Sequence, residues 1–293
     1  MGKRHFRAGI LGAAAVTLLI LAAVLWSDMD SKSVGRNGLF CWDKEFLNDR
    51  AQRDTLWHAM EQYDLHELYQ YIPADLPPKS LSSFFAEAEE HRIGVYLLTG
   101  DPAWARDGTG ETLVDAVRQA ASVRRRTDGS ALKGVMMDVE PYLLPEWEEE
   151  AESLMDSYVS AMKTARKQAE EDDLFLYACI PYYYDSEGLT SYLHALMEQG
   201  CHGIAVMNYY RENETKHLRY EWQQAKHLNK PIVNVYELQA PGIHDLSEIN
   251  TYHESGMEGI EKSFRNIQKS LPYDNLAFAV HDYKALLEVE DIE

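Results

Sequence analysis

The chain has 293 residues, 45% of them hydrophobic, with 28 basic against 48 acidic residues and a net charge of −20. That is enough apolar sequence for one large core, and nothing requires a second domain. A surface this acidic repels phosphate backbones, which argues against DNA or RNA as a partner.

The first stretch reads as a membrane segment. Lys3, Arg4 and Arg7 precede nineteen uncharged residues, Ala8 to Trp26, and Asp28 and Asp30 follow. As a helix this run spans about 28 Å, close to a bilayer core, with Trp26 at one interface and the basic residues on the cytoplasmic side. Leu21-Ala22-Ala23 has Leu where a cleavage site needs a small residue, and Val24-Leu25-Trp26 fits worse, which favours an uncleaved signal anchor over a cleaved signal peptide. The expected organisation is an N-terminal transmembrane helix or signal segment over 1–30, a linker over 31–37 and one domain over 38–293. That domain lies on the extracytoplasmic side, and is secreted if the segment is cleaved.

Beyond residue 37, β-branched and aromatic runs alternate with segments of helical period. Eight runs read as strands: 38–43, 65–72, 93–101, 134–142, 174–183, 203–210, 231–239 and 275–283. Between them, Asn48 or Asp49 caps a helix with Leu56, Met60 and Tyr63 on its apolar face. Phe84, Phe85 and Ala88 mark the next helix, and Leu113, Val117 and Ala121 the third. After the fourth strand, Trp147, Leu154, Met155, Tyr158, Met162 and Ala165 form the stripe of a helix that covers a sheet. Eight β-α units in one domain close most simply into a single (β/α)8 TIM barrel, an α/β fold whose active site forms where the strands end. An open doubly wound sheet is the alternative, but no glycine-rich nucleotide motif supports it. Cys41, Cys179 and Cys201 each fall in or beside a strand, where a buried thiol is the default; they are too scattered for a disulfide framework or a zinc cluster.

The strand ends carry the chemistry. Gly134-Val135-Met136-Met137-Asp138-Val139-Glu140-Pro141 is an apolar run ending in two carboxylates at i and i+2. Alternation puts Asp138 and Glu140 on one face, roughly 6 to 7 Å apart at the backbone, and Pro141 stops the ladder. Two acids this close resist being charged together, so one holds a proton near neutral pH, as a general acid must. Glu237, ending the seventh strand, is the candidate second carboxylate, a nucleophile or base; a structural carboxylate bonded to Tyr209 or Arg211 is the competing reading. Trp42, Asp43, Asp101, Tyr142, Tyr183, Tyr209, His281 and Tyr283 complete a set of carboxylates and aromatics suited to sugar rings. Tyr182, Tyr183 and Tyr184 cannot all face inward, because a strand alternates. His281 reads as a sugar-hydroxyl partner, or as a residue that supports those touching the sugar, rather than a metal ligand, since no second histidine has useful spacing. No metal and no cofactor are expected.

The stretch 137–147, Met-Asp-Val-Glu-Pro-Tyr-Leu-Leu-Pro-Glu-Trp, resembles a group of uncharacterised bacterial glycoside-hydrolase-like TIM-barrel proteins, and 101–105, 205–209 and 279–283 fit the same pattern. More distantly, the chain is similar to glycoside hydrolase family 18, with its strand-four motif D-G-x-D-x-D-x-E and strand-six motif M-x-Y-D. Gly134, Asp138 and Glu140 match the first, and Met207 and Tyr209 the second. The resemblance implies a glycosidase barrel in which Glu140 is the acid and Asp138, helped by Tyr209, orients a substrate acetamido group. Lys133 and Met136 replace the two earlier aspartates, and Tyr210 stands where that family has Asp. These departures turn attention to Glu237 as a compensating carboxylate. The expected function is hydrolysis of a cell-surface or extracellular polysaccharide by a carbohydrate-binding, membrane-anchored enzyme. The alternative is a non-catalytic glycan-binding protein on the same scaffold.

Overall fold

The structure is a computed structural model that describes residues 36–73 and 76–292. The anchor expected over 1–30 and the start of the linker lie outside the described residues. Among the described residues, no helix is long and apolar enough to cross a membrane.

Eight parallel strands close into a barrel in chain order: β1 (Gly38–Cys41), β2 (Glu67–Gln70), β3 (Gly94–Thr99), β4 (Leu132–Met137), β5 (Phe175–Pro181), β6 (Gly203–Met207), β7 (Ile232–Glu237) and β8 (Leu276–His281). Each of the eight apolar runs supplies one strand. The helices between them are α1 (Arg50–Gln62), α2 (Pro78–Glu90), α3 (Glu111–Thr127), α4 (Trp147–Glu171), α5 (Thr190–Ala195), α6 (Glu214–His217), α7 (Arg219–Leu228), α8 (Gly256–Ser270) and α9 (Tyr283–Val289). Asp49 caps α1 by accepting from the amides of Ala51 at 2.9 Å and Gln52 at 3.4 Å. The stripe on α4 buries Leu154, Met155, Tyr158, Met162 and Ala165 against the sheet.

Alternation along the strands divides the apolar residues between two cores. Outward residues such as Leu39, Leu68, Val95, Val135 and Leu176 join the helices in the larger one. Inward residues fill the barrel itself, with Phe40, Tyr69, Tyr96, Met136, Tyr177 and Val235 among them. At the barrel floor Glu67 is buried and accepts hydrogen bonds from the hydroxyls of Tyr69 at 2.9 Å and Tyr96 at 3.3 Å. Gly134 keeps β4 close to β5, because a Cβ there would sit 1.9 Å from the carbonyl oxygen of Phe175. These inward rows decide which later residues face the mouth.

Candidate active site

The β4 ladder stops at Met137, so both acids lie just past it rather than within it. The Asp138 amide still donates to the carbonyl of Thr99 at 2.9 Å, which holds the first acid against β3. The chains meet so closely that a Cβ on Gly100 would fall 1.8 Å from the Asp138 carbonyl oxygen. Since Met136 points into the barrel, Asp138 and Glu140 continue its inward face. Both are half-buried. The Asp138 Oδ1 is shut off from solvent with no hydrogen-bond partner among the described residues, while the Cys179 thiol of β5 adjoins the carboxyl.

Electrostatics separate the two acids. Burial raises Asp138, and the charge of His281 together with the Cys179 contact opposes that rise. For Glu140, burial and then the charge of Asp138 push the carboxyl up to about 7, against the Tyr142 hydrogen bond and the His281 charge. The pair therefore keeps a proton into the neutral range. Tyr142 and Tyr183 wall this side with rings 5.8 Å apart, edge to face. The other two tyrosines of the trio turn elsewhere: Tyr182 stacks on His217 at 4.3 Å, and Tyr184 on Trp147 at 5.8 Å.

Across the mouth, β7 and β8 pair Glu237 directly with His281. His281 Nδ1 lies 3.0 Å from Glu237 Oε2, while Glu237 Oε1 accepts from the amides of Leu238 at 2.9 Å and Gln239 at 2.8 Å. Both oxygens of the carboxylate expected to act as nucleophile or base are thus engaged, and by neither Tyr209 nor Arg211. Arg211 instead lies over the Tyr252 ring at 4.7 Å. Burial disfavours a charged His281, but the Glu237 hydrogen bond and charge, with Asp282 and Asp138, outweigh it and push the imidazole up to about 9. The Tyr209 ring lies 6.1 Å from His281, and its hydroxyl is pushed up by burial and by the charges of Glu237, Asp138 and Glu140.

Trp42 stands partly exposed at the end of β1 with Tyr71 of β2 at 6.1 Å. Tyr71 also lines a cavity of about 340 Å³ at the ends of β2 and β3, together with Thr99 and Trp104. Three expected binding residues do not join the site. Asp43 accepts from the Glu45 amide at 3.0 Å and pairs with Lys284 at 3.2 Å. Asp101 caps the 3-10 turn Pro102–Arg106 by accepting from Ala103 at 2.8 Å. Tyr283 opens α9 and packs into the outer core against Phe46 at 5.6 Å. Asp43 and Asp101 each sit one position off the inward row of Phe40 and Leu98, a parity visible in the strand pattern itself. Cys179 and Gly100, unmarked as site residues in the sequence, follow from the same parity applied to β5 and β3. Among the described residues, no three His, Cys, Asp or Glu side chains are arranged to hold a metal ion.

No protein-family model matches the sequence, and no curated protein does. Solved structures match the fold over most of their length. A family 18 chitinase from Pseudoalteromonas aurantia aligns with a TM-score of 0.55 and 10% identity, covering 88% of this chain and all of that one. A family 18 chitinase from Cycas revoluta in complex with (GlcNAc)3 aligns with a TM-score of 0.52 and 11% identity, over 88% and 97% of the two chains. D-Psicose 3-epimerase from Clostridium cellulolyticum aligns with a TM-score of 0.50 and 10% identity, over 87% and 89%. The barrel alone hosts more than one chemistry. At such identity the likeness speaks for architecture: the chain carries a (β/α)8 fold of the kind found in distant glycoside hydrolases.

Proposed function

We propose that this protein is a glycoside hydrolase that cleaves a cell-surface or extracellular polysaccharide, tethered by residues 1–30 with its barrel on the extracytoplasmic side. The observation that carries this reading is the Asp138–Glu140 pair at the barrel mouth, with Glu140 pushed up to about 7. Protonated Glu140 gives its proton to the glycosidic oxygen as the bond to the sugar breaks. Because Glu237 is already engaged on both oxygens, the acid's partner in this reading is Asp138. It orients a 2-acetamido group of the sugar, whose carbonyl oxygen attacks the anomeric carbon, in the manner the family 18 resemblance implies. Glu140 then takes a proton from the water that opens the intermediate. Tyr142, Tyr183 and Tyr209 offer ring faces and hydroxyls to the sugar.

Incubating the protein with bacterial surface glycans and chitooligosaccharides, with products read by mass spectrometry, tests the proposal. Wild type releases products and Glu140→Gln lowers turnover by at least about a thousandfold with no loss of melting temperature; equal turnover by the two forms ends the reading. The acid must be protonated, so kcat/KM falls as pH rises through about 7. In cells, the chain fractionates with membranes and its barrel is cleaved by protease added outside; protection from that protease would refute the proposed side.

The engaged state of Glu237 favours one alternative, a glycan-binding protein whose chemistry has been lost. It expects glycan binding that survives Glu140→Gln, with no product from either form.

A further inference from the structure

Among the groups at the mouth, Glu237 and His281 are the ones whose arrangement the glycosidase chemistry does not use. They are paired by strand register. Glu237 is 3% exposed and spends one oxygen on two backbone amides and the other on His281 Nδ1, so the carboxylate is fixed and offers no position for attack. Among the described residues, no hydrogen bond uses His281 Nε2. We propose that Glu237 is a positioning residue acting through His281: it fixes the imidazole by Nδ1 and keeps it cationic, and that cation decides which of Asp138 and Glu140 holds their shared proton.

The physical case is one of charge. In the motif the chain resembles, an aspartate precedes this pair on the inward face of the fourth strand. Met136 occupies that position here and cannot share a proton or a hydrogen bond with Asp138. Among the described residues, the Asp138 Oδ1 is buried without a partner. A buried carboxylate helped only by a weak thiol donor is costly, and a cation nearby offsets part of that cost. His281 supplies it from the opposite side of the barrel. The groups facing the imidazole are Glu237 from β7, Asp282 at its own strand end, Asp138 and Glu140 beyond β4, and Tyr209 beyond β6; Cys179 of β5 adjoins Asp138. His281 favours the charged form of both acids; it outranks the Cys179 contact at Asp138 but falls behind the Tyr142 hydrogen bond at Glu140, so Asp138 gains more from that charge. The proton stays on Glu140.

The ionisation state is read without substrate, so this part does not depend on the glycosidase reading; the rate effect rests on it. The experiment is an NMR pH titration of full-length protein in detergent micelles, labelled with ¹⁵N-histidine, the His281 signals being identified by their loss in His281→Gln. In wild type His281 stays protonated on both nitrogens until about pH 9. In Glu237→Gln burial is no longer outweighed, and the midpoint drops by roughly two units or more. A wild-type midpoint at or below the ordinary 6.5, or identical midpoints in the two proteins, overturns the proposal. Should Glu237→Gln not fold, the wild-type ¹⁵N shifts decide alone, since the proposal requires a proton on Nδ1 throughout. On a glycan that wild type cleaves, Glu237→Gln moves both limbs of the pH profile to higher pH, because loss of the cation raises both acids. At a pH above the variant's own His281 midpoint it lowers kcat about tenfold while KM changes little, and Glu237→Asp recovers part of the loss. Unmoved limbs in an active Glu237→Gln would refute the coupling. If wild type cleaves nothing, the functional reading fails while the titration still decides the pair.

Discussion

Single residues in this barrel separate into those whose charge is used and those whose charge is a cost. Glu67 belongs to the second kind. Burial pushes it up to about 7, against the hydrogen bonds of Tyr69 and Tyr96 and the charge of Arg36. The folded state therefore keeps a proton that the unfolded chain, with its ordinary value of 4.5, has released. Stability falls as pH rises from about 4.5 to about 7 and levels off above, by up to about 3 kcal/mol for this one group. Glu67→Gln retains an acceptor for the tyrosines and removes the titration. Urea melts should find the variant more stable than wild type at pH 8 and equal to it at pH 4, and a variant that keeps the wild-type pH slope would refute this account. The same distinction explains what the sequence disclosed about the site. The acid pair was legible because i, i+2 spacing at the end of one apolar run needs no partner to interpret. The grip of Glu237 on His281 was not, since it depends on lateral register between β7 and β8, which neither run reveals by itself.

Elements fix where those residues stand. Every strand was legible from its apolar run, yet the strands are shorter at their C-terminal ends than the runs that mark them. β4 stops at Met137 although the apolar pattern continues through Val139, because Pro141 cannot donate to a ladder and the following turn draws the chain away. β8 stops at His281, where Asp282 caps α9 by accepting from Ala285 at 3.1 Å; Tyr283 is thereby carried to the outer core instead of the mouth. The acid pair leans on the neighbouring element as well. Gly100, at the end of β3, lets the backbone of Asp138 approach as no other residue would. Gly100→Ala forces Asp138 to move while leaving every catalytic side chain present. A displacement of about 1 Å is enough to cost about a hundredfold in rate, so this variant should lose most of its turnover and keep its far-ultraviolet spectrum. Unaltered kcat in a folded Gly100→Ala protein would show that the close approach is not needed.

At the scale of the molecule, the sheet is continuous but its joints are unequal. β7 and β8 are matched over six residue pairs, from Ile232 with Leu276 to Glu237 with His281. β1 and β8, which close the ring, are matched over two, Gly38 with Ala279 and Leu39 with Val280. A ring breathes at its shortest ladder, because fewer cooperative bonds must part there. Amide hydrogen exchange should accordingly find the first strand trading its protons with solvent sooner than the seventh. The slowest-exchanging partner of β8 then lies on the Glu237 side, and each transient parting of the seam leaves His281 in the hands of the strand that holds its imidazole.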